Sequence, residues 1–128
     1  MKQLFLVVLL AIVFGMAPAL AADKAKAEAC GDCNGCAQTC STTLDQFLKK
    51  GGKYADPKRV SLLRDCIAIC KTNDGLRKRK SEFFPQVDKV CGEVCAKCAQ
   101  SCEELNDPSL KGCIELCKKC STACKAGT

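Results

Sequence analysis

"CGEVCAKCAQSC", Cys91 to Cys102, sets four cysteines at steps of four, three and four residues. "CIELCKKCSTAC", Cys113 to Cys124, repeats the same steps. An alternating three- and four-residue step keeps returning to one face of an α-helix, and it is the spacing of a coiled-coil-like seam. A bundle helix normally fills such positions with Leu or Ile. Here they hold thiols, so the spacing speaks to the fold and the residue type to the chemistry.

The same reading extends outward. The helix carrying Cys91, Cys95, Cys98 and Cys102 starts between Ser81 and Pro85, ends near Leu105, and adds Phe84, Val87, Val94 and Leu105 to its apolar stripe. The helix carrying Cys113, Cys117, Cys120 and Cys124 starts at Asp107 and Pro108 and adds Leu110 and Leu116. Upstream, Asp56 is a good N-cap and Pro57 suits a first helical position. They open a helix to about Asn73, with Val60, Leu63, Cys66, Ile67 and Cys70 on one face and Gly75 as its stop. A first helix spans roughly Glu28 to Lys50, with Cys33, Cys36, Cys40, Leu44 and Phe47 on one face and Cys30 and Leu48 at its margins. "GGKYAD", Gly51 to Asp56, breaks the chain after it. No alternating strand pattern occurs, and short connections make successive helices antiparallel neighbours. The expected fold is all-α: an up-down-up-down four-helix bundle with a cysteine-lined core.

The opening segment reads differently. "MKQLFLVVLLAIVFGMAPALA" has a basic residue at Lys2, an apolar run from Leu4 to Met16 and a small-x-small site at Ala19-Leu20-Ala21. Residues 1–21 are expected to be a general-secretion signal peptide and residues 22–128 the Cys-rich bundle. The run is short of a membrane span, and no cysteine follows the cleavage site to carry a lipid. The expected location is exported, periplasmic or secreted.

Composition narrows the function. The chain has 14 cysteines in 128 residues, no His and no Trp, and its two Met fall in the leader. There is no imidazole base or ligand and no thioether ligand in residues 22–128. No nucleophile–base pair or phosphate loop is present, and the carboxylates fall mostly at caps and on solvent faces, so no enzyme is expected. The formal net charge is +6. Its one run, "RKRK" at Arg77 to Lys80, reads as a solvated turn and is too short for nucleic acid.

Three chemistries compete for the thiols. A disulfide-stapled structural helical protein suits an exported chain. However, Cβ atoms four apart on a helix are ~5–6 Å apart, beyond the ~3.5–4.5 Å a disulfide needs. Zinc-thiolate or iron–sulfur centres need four ligands converging on a point, whereas Cys91 to Cys102 spans about 16 Å along one helix. The Cys30-Cys33-Cys36 segment, with its glycines, is nearest to a knuckle, and Cys30 with Cys33 also offers a weak thiol-redox reading. Cu(I) is soft, prefers thiolate and accepts two or three ligands. With metal–sulfur bonds near ~2.3 Å, a linear pair spans ~4.6 Å, which residues at i and i+4 can reach. If each ion takes two thiolates and each thiolate bridges two ions, the chain holds multiple Cu(I), roughly one per Cys.

"RDCIAICKTNDGL", "VCGEVCAKCAQSCEEL" and "KGCIELCKKCSTAC" resemble the four-helix-bundle copper storage proteins, in particular their exported branch. The resemblance covers most of residues 22–128 and is most specific from Leu62 onward. It implies a soluble bundle storing many Cu(I) ions, and a homo-oligomer, often a tetramer. It also implies a copper-accepting enzyme or chaperone as partner, and neither nucleic acid nor a membrane anchor. By position it assigns Cys66 and Cys70 to the helix-two pair. Cys91, Cys95, Cys98 and Cys102 fall to the helix-three ladder, and Cys113, Cys117, Cys120 and Cys124 to the helix-four ladder. Cys30, Cys33, Cys36 and Cys40 form a looser first-helix set. Relatives commonly carry His, and sometimes Met, near the open end, and often a Cys where this chain has Asp88.

Overall fold

A computed structural model describes the backbone of residues 19–126 and the side chains of residues 33–124. Four helices account for it: α1 (Ala19–Lys50), α2 (Pro57–Lys78), α3 (Phe84–Glu103) and α4 (Lys111–Ala126). Short 3-10 turns at Gly52–Ala55 and Pro108–Leu110 join the first pair and the last pair. No strand occurs among the described residues. Each helix packs on its neighbour in sequence, and α4 closes the ring on α1. This is the expected antiparallel four-helix bundle. The expected leader, residues 1–21, lies outside the described residues apart from the three that begin α1.

Local chemistry sets the boundaries. After α1 the chain turns through Gly51 and Gly52, at φ 68° and 54°, a region that residues with a Cβ enter at a cost. The Gly51 N–H donates to the Phe47 carbonyl at 3.0 Å and closes the helix end. Asp56 Oδ1 then accepts from the backbone N–H of Lys58 and Arg59 at 3.0 and 3.2 Å, and Pro57 follows it. Asp107 does the same for the turn before α4, accepting from the Ser109 N–H at 2.9 Å. Its other oxygen accepts from Tyr54 Oη at 2.9 Å and Lys50 Nζ at 3.3 Å, tying the two turns at that end together.

Two boundaries differ from the sequence reading: α1 begins at Ala19 rather than near Glu28, and α2 runs past its expected stop. Gly75 does not stop α2, which continues to Lys78. A mid-helix Gly costs only about 1 kcal/mol, and Asp74 pairs with Arg77 at 3.1 Å and Lys78 at 2.6 Å across that turn. The stop is Lys80, in the left-handed region at φ 53°, with the Ser81 N–H donating back to the Leu76 carbonyl. "RKRK" is therefore divided. Arg77 and Lys78 belong to the last helical turn, and Arg79 and Lys80 form the exposed link to α3.

The core is a column of sulfur with unlike ends. Phe47, Leu63, Leu105 and Leu110 are buried at the end where α1 turns into α2 and α3 into α4. The Phe47 ring packs on Tyr54, with centroids 5.4 Å apart. At the end where α2 turns into α3, Asn73 and Asp88 are buried instead. Of the helix-one margins, Leu48 is exposed, and the Cys30 side chain lies outside the described residues.

Candidate metal centre

Each helix delivers its thiols inward because the three–four step keeps them on one stripe. The 13 described cysteines, Cys33 through Cys124, are all buried, at most 4% exposed, and all are free thiols. Only Cys30 of the expected set stands outside this description. The nearest sulfurs belong mostly to different helices. Cys33 and Cys120 are 3.2 Å apart, Cys70 and Cys95 3.5 Å, Cys40 and Cys117 3.6 Å, and Cys66 and Cys95 3.7 Å. The i,i+4 pairs Cys91–Cys95 and Cys120–Cys124 stand at 4.0 Å.

Cross-helix packing corrects one expectation. Along a single helix the thiols form a line, but the bundle gathers them into four-sulfur groups. Cys33, Cys91, Cys120 and Cys124 lie within 4.8 Å of one another, as do Cys36, Cys66, Cys70 and Cys95. Cys36, Cys40, Cys66 and Cys117 form a third group, and Cys70, Cys91, Cys95 and Cys120 a fourth. The groups share members, so the sulfurs make one continuous network. With metal–sulfur bonds of ~2.3 Å, sulfurs are separated by ~4.6 Å in a linear site, ~4.0 Å in a trigonal one and ~3.8 Å in a tetrahedral one. The close pairs, at 3.2–4.0 Å, fall at or below the trigonal and tetrahedral separations, and the 4.8 Å reach of each group admits linear pairs, so the spacing accommodates bridged ions of two, three or four ligands.

The protons on these thiols are shared along S–H···S contacts. Hydrogen bonding from Cys120, helped by Cys124, pulls Cys33 down to about 4, and bonding from Cys102 pulls Cys98 down to about 6. Cys70 and Cys95 move up from the ordinary thiol value, led by their hydrogen bonding with Cys120 and reinforced by burial. No Lys or Arg is among the buried residues described.

Two residues of this core carry no sulfur. Asp88 is fully packed into the thiol stripe of α3, and burial pushes its carboxyl above the ordinary carboxylate value. Asn73, taken from the sequence only as the end of a helix, is equally buried and donates from Nδ2 to Asp88 Oδ1 at 2.8 Å. The signal that places it in the core was present: it lies three residues beyond Cys70, continuing the Leu63, Cys66, Cys70 step.

Comparison with known proteins supplies the remaining findings. A family model described as copper storage protein matches residues 22–128. The crystal structure of a protein from Nitrosospira multiformis is similar at 30% identity and a TM-score of 0.75, covering 81% of this chain and 94% of that one. The Cu(I)-bound copper storage protein BsCsp3 shares the fold at 22% identity and a TM-score of 0.69, with 81% and 95% of the two chains covered. A search of curated proteins finds no match.

Proposed function

This chain belongs to the copper storage protein family, and from that premise we propose that it is an exported, non-enzymatic store of Cu(I). The observation that carries the reading is the continuous network of buried free thiols, gathered from all four helices into overlapping four-sulfur groups. Cu(I) is the cargo. It suits soft thiolate donors and low coordination numbers, and bridging lets a thiolate serve two ions. The ligands proposed are Cys33, Cys36, Cys40, Cys66, Cys70, Cys91, Cys95, Cys98, Cys102, Cys113, Cys117, Cys120 and Cys124, with Cys30 joining them on sequence grounds. A filling of roughly one ion per Cys follows from the bridging count.

Export rests on the leader-like residues 1–21, with residues 22–128 as the mature bundle; no described helix is long and apolar enough to cross a membrane. The homo-oligomer and the copper-accepting enzyme or chaperone implied by the family resemblance belong to the same proposal. No contact favours a disulfide scaffold: the closest described sulfurs, at 3.2 Å, are well beyond a bond of ~2.05 Å.

Anaerobic loading of the reduced chain with Cu(I), read by metal analysis and a thiol count in denaturant, tests the reading. Saturation near one ion per thiol is expected, and saturation below about four ions per chain refutes storage.

A further inference from the structure

The two ends of the sulfur column are closed by opposite chemistries. At one end Phe47, Leu63, Leu105 and Leu110, at most 4% exposed, close it with hydrocarbon. At the other, Asn73 and Asp88, each 1% exposed, stand where the helical step calls for a thiol. Asn73 lies three residues after Cys70, and Asp88 three before Cys91. The Asn73 Nδ2 that donates to Asp88 also stands 3.6 Å from Cys33 Sγ and 3.9 Å from Cys124 Sγ, so its amide is in contact with the last described sulfurs of the column. The Asn73 Oδ1 is buried with no hydrogen-bond partner. No ion pair among the described residues neutralises Asp88, in contrast to buried Asp74, which meets Arg77 and Lys78.

A buried carboxylate without a cation and a buried amide oxygen without a donor both carry a desolvation cost. Leucines at these positions would avoid it, as they do at the far end. A bound cation would relieve both at once, because both oxygens are metal donors and the amide that carries one of them adjoins two thiols. Oxygen is the poorer donor for a soft ion. We propose that Asp88 and Asn73, with Cys33 and Cys124, form a mixed oxygen–sulfur site. It holds a Cu(I) at this end of the described column more loosely than the all-sulfur groups and exchanges it first. The inference rests on the Cu(I) storage reading and deepens it by naming the labile position.

The test is anaerobic transfer of Cu(I) from the fully loaded protein to excess bathocuproine disulfonate, followed by stopped-flow absorbance. Wild type is expected to lose about one ion per chain in a fast phase ahead of the rest. Asp88→Asn, which keeps the shape and removes the charge, loses that phase and about one ion of capacity. Asp88→Cys continues the thiol stripe, keeps the ion and moves it into the slow phase. If Asp88→Asn does not fold, judged by circular dichroism, the Cys variant decides alone. A fast phase unchanged in amplitude and rate in the variants, or absent from wild type, overturns the site. Failure of wild type to load several ions overturns the storage reading instead.

Discussion

Replacing Phe47 by Ala tests the hydrocarbon closure of the column. Phe47 is fully buried, its ring packs on Tyr54 at 5.4 Å, and Tyr54 is in turn anchored to Asp107 at 2.9 Å. Removing the ring leaves a cavity among Leu side chains that the bundle cannot refill, at about 4 kcal/mol. For a domain of this size that corresponds to a fall of roughly 15–20 °C in Tm. The assay is thermal unfolding of the reduced, metal-free protein under anaerobic conditions, followed by circular dichroism. No sulfur is lost in Phe47→Ala, so Cu(I) capacity should match wild type in the same preparation. A fall of less than about 5 °C would refute the claim that these residues carry the stability of that end.

Three further outcomes follow from the thiol network. Cys70→Ser removes a member of two four-sulfur groups, 3.5 Å from Cys95 and 3.6 Å from Cys91, and should lower capacity by about one to two ions in native mass spectrometry; an unchanged ratio would contradict bridging there. Mild oxidation of the metal-free protein should link Cys33 to Cys120 first, as the closest pair at 3.2 Å, joining α1 to α4 in a peptide map. Cys70 and Cys95 are held above the ordinary thiol value, so they keep their protons at neutral pH and release them to bind metal. Lowering the pH should therefore weaken Cu(I) binding, by up to about tenfold per pH unit for each proton displaced; chelator competition at two pH values measures it, and pH-independent affinity would contradict it.

The bundle was legible in the cysteine steps themselves, because a stripe of buried residues on each helix leaves few ways to bury all four. Asp56 and Asp107 as caps, and the glycine pair after Lys50, were readable for the same local reason. Gly75 misled because a helix stop depends on what the next turn offers, and Asp74 with its two basic partners offers continuation. The four-sulfur groups were not legible at all. A single helix shows only the separation along its own axis, whereas Cys33 meets Cys120 through packing of α1 on α4. Asn73 was legible but unread, since its polarity suggested an end rather than a continuation of the stripe.

The absence of any buried Lys or Arg beside the described thiols fixes the electrical character of the store. Every proton displaced from a thiol leaves a negative charge in a medium that solvates it poorly, at several kcal/mol for each uncompensated ion. A monovalent ion shared at one per thiolate leaves the column neutral however far it is filled. A divalent ion held by four thiolates leaves two negative charges behind, and the protein brings nothing to balance them. Electroneutrality, more than any single geometry, therefore favours a monovalent cargo over divalent ions that the sulfur spacing alone would accept.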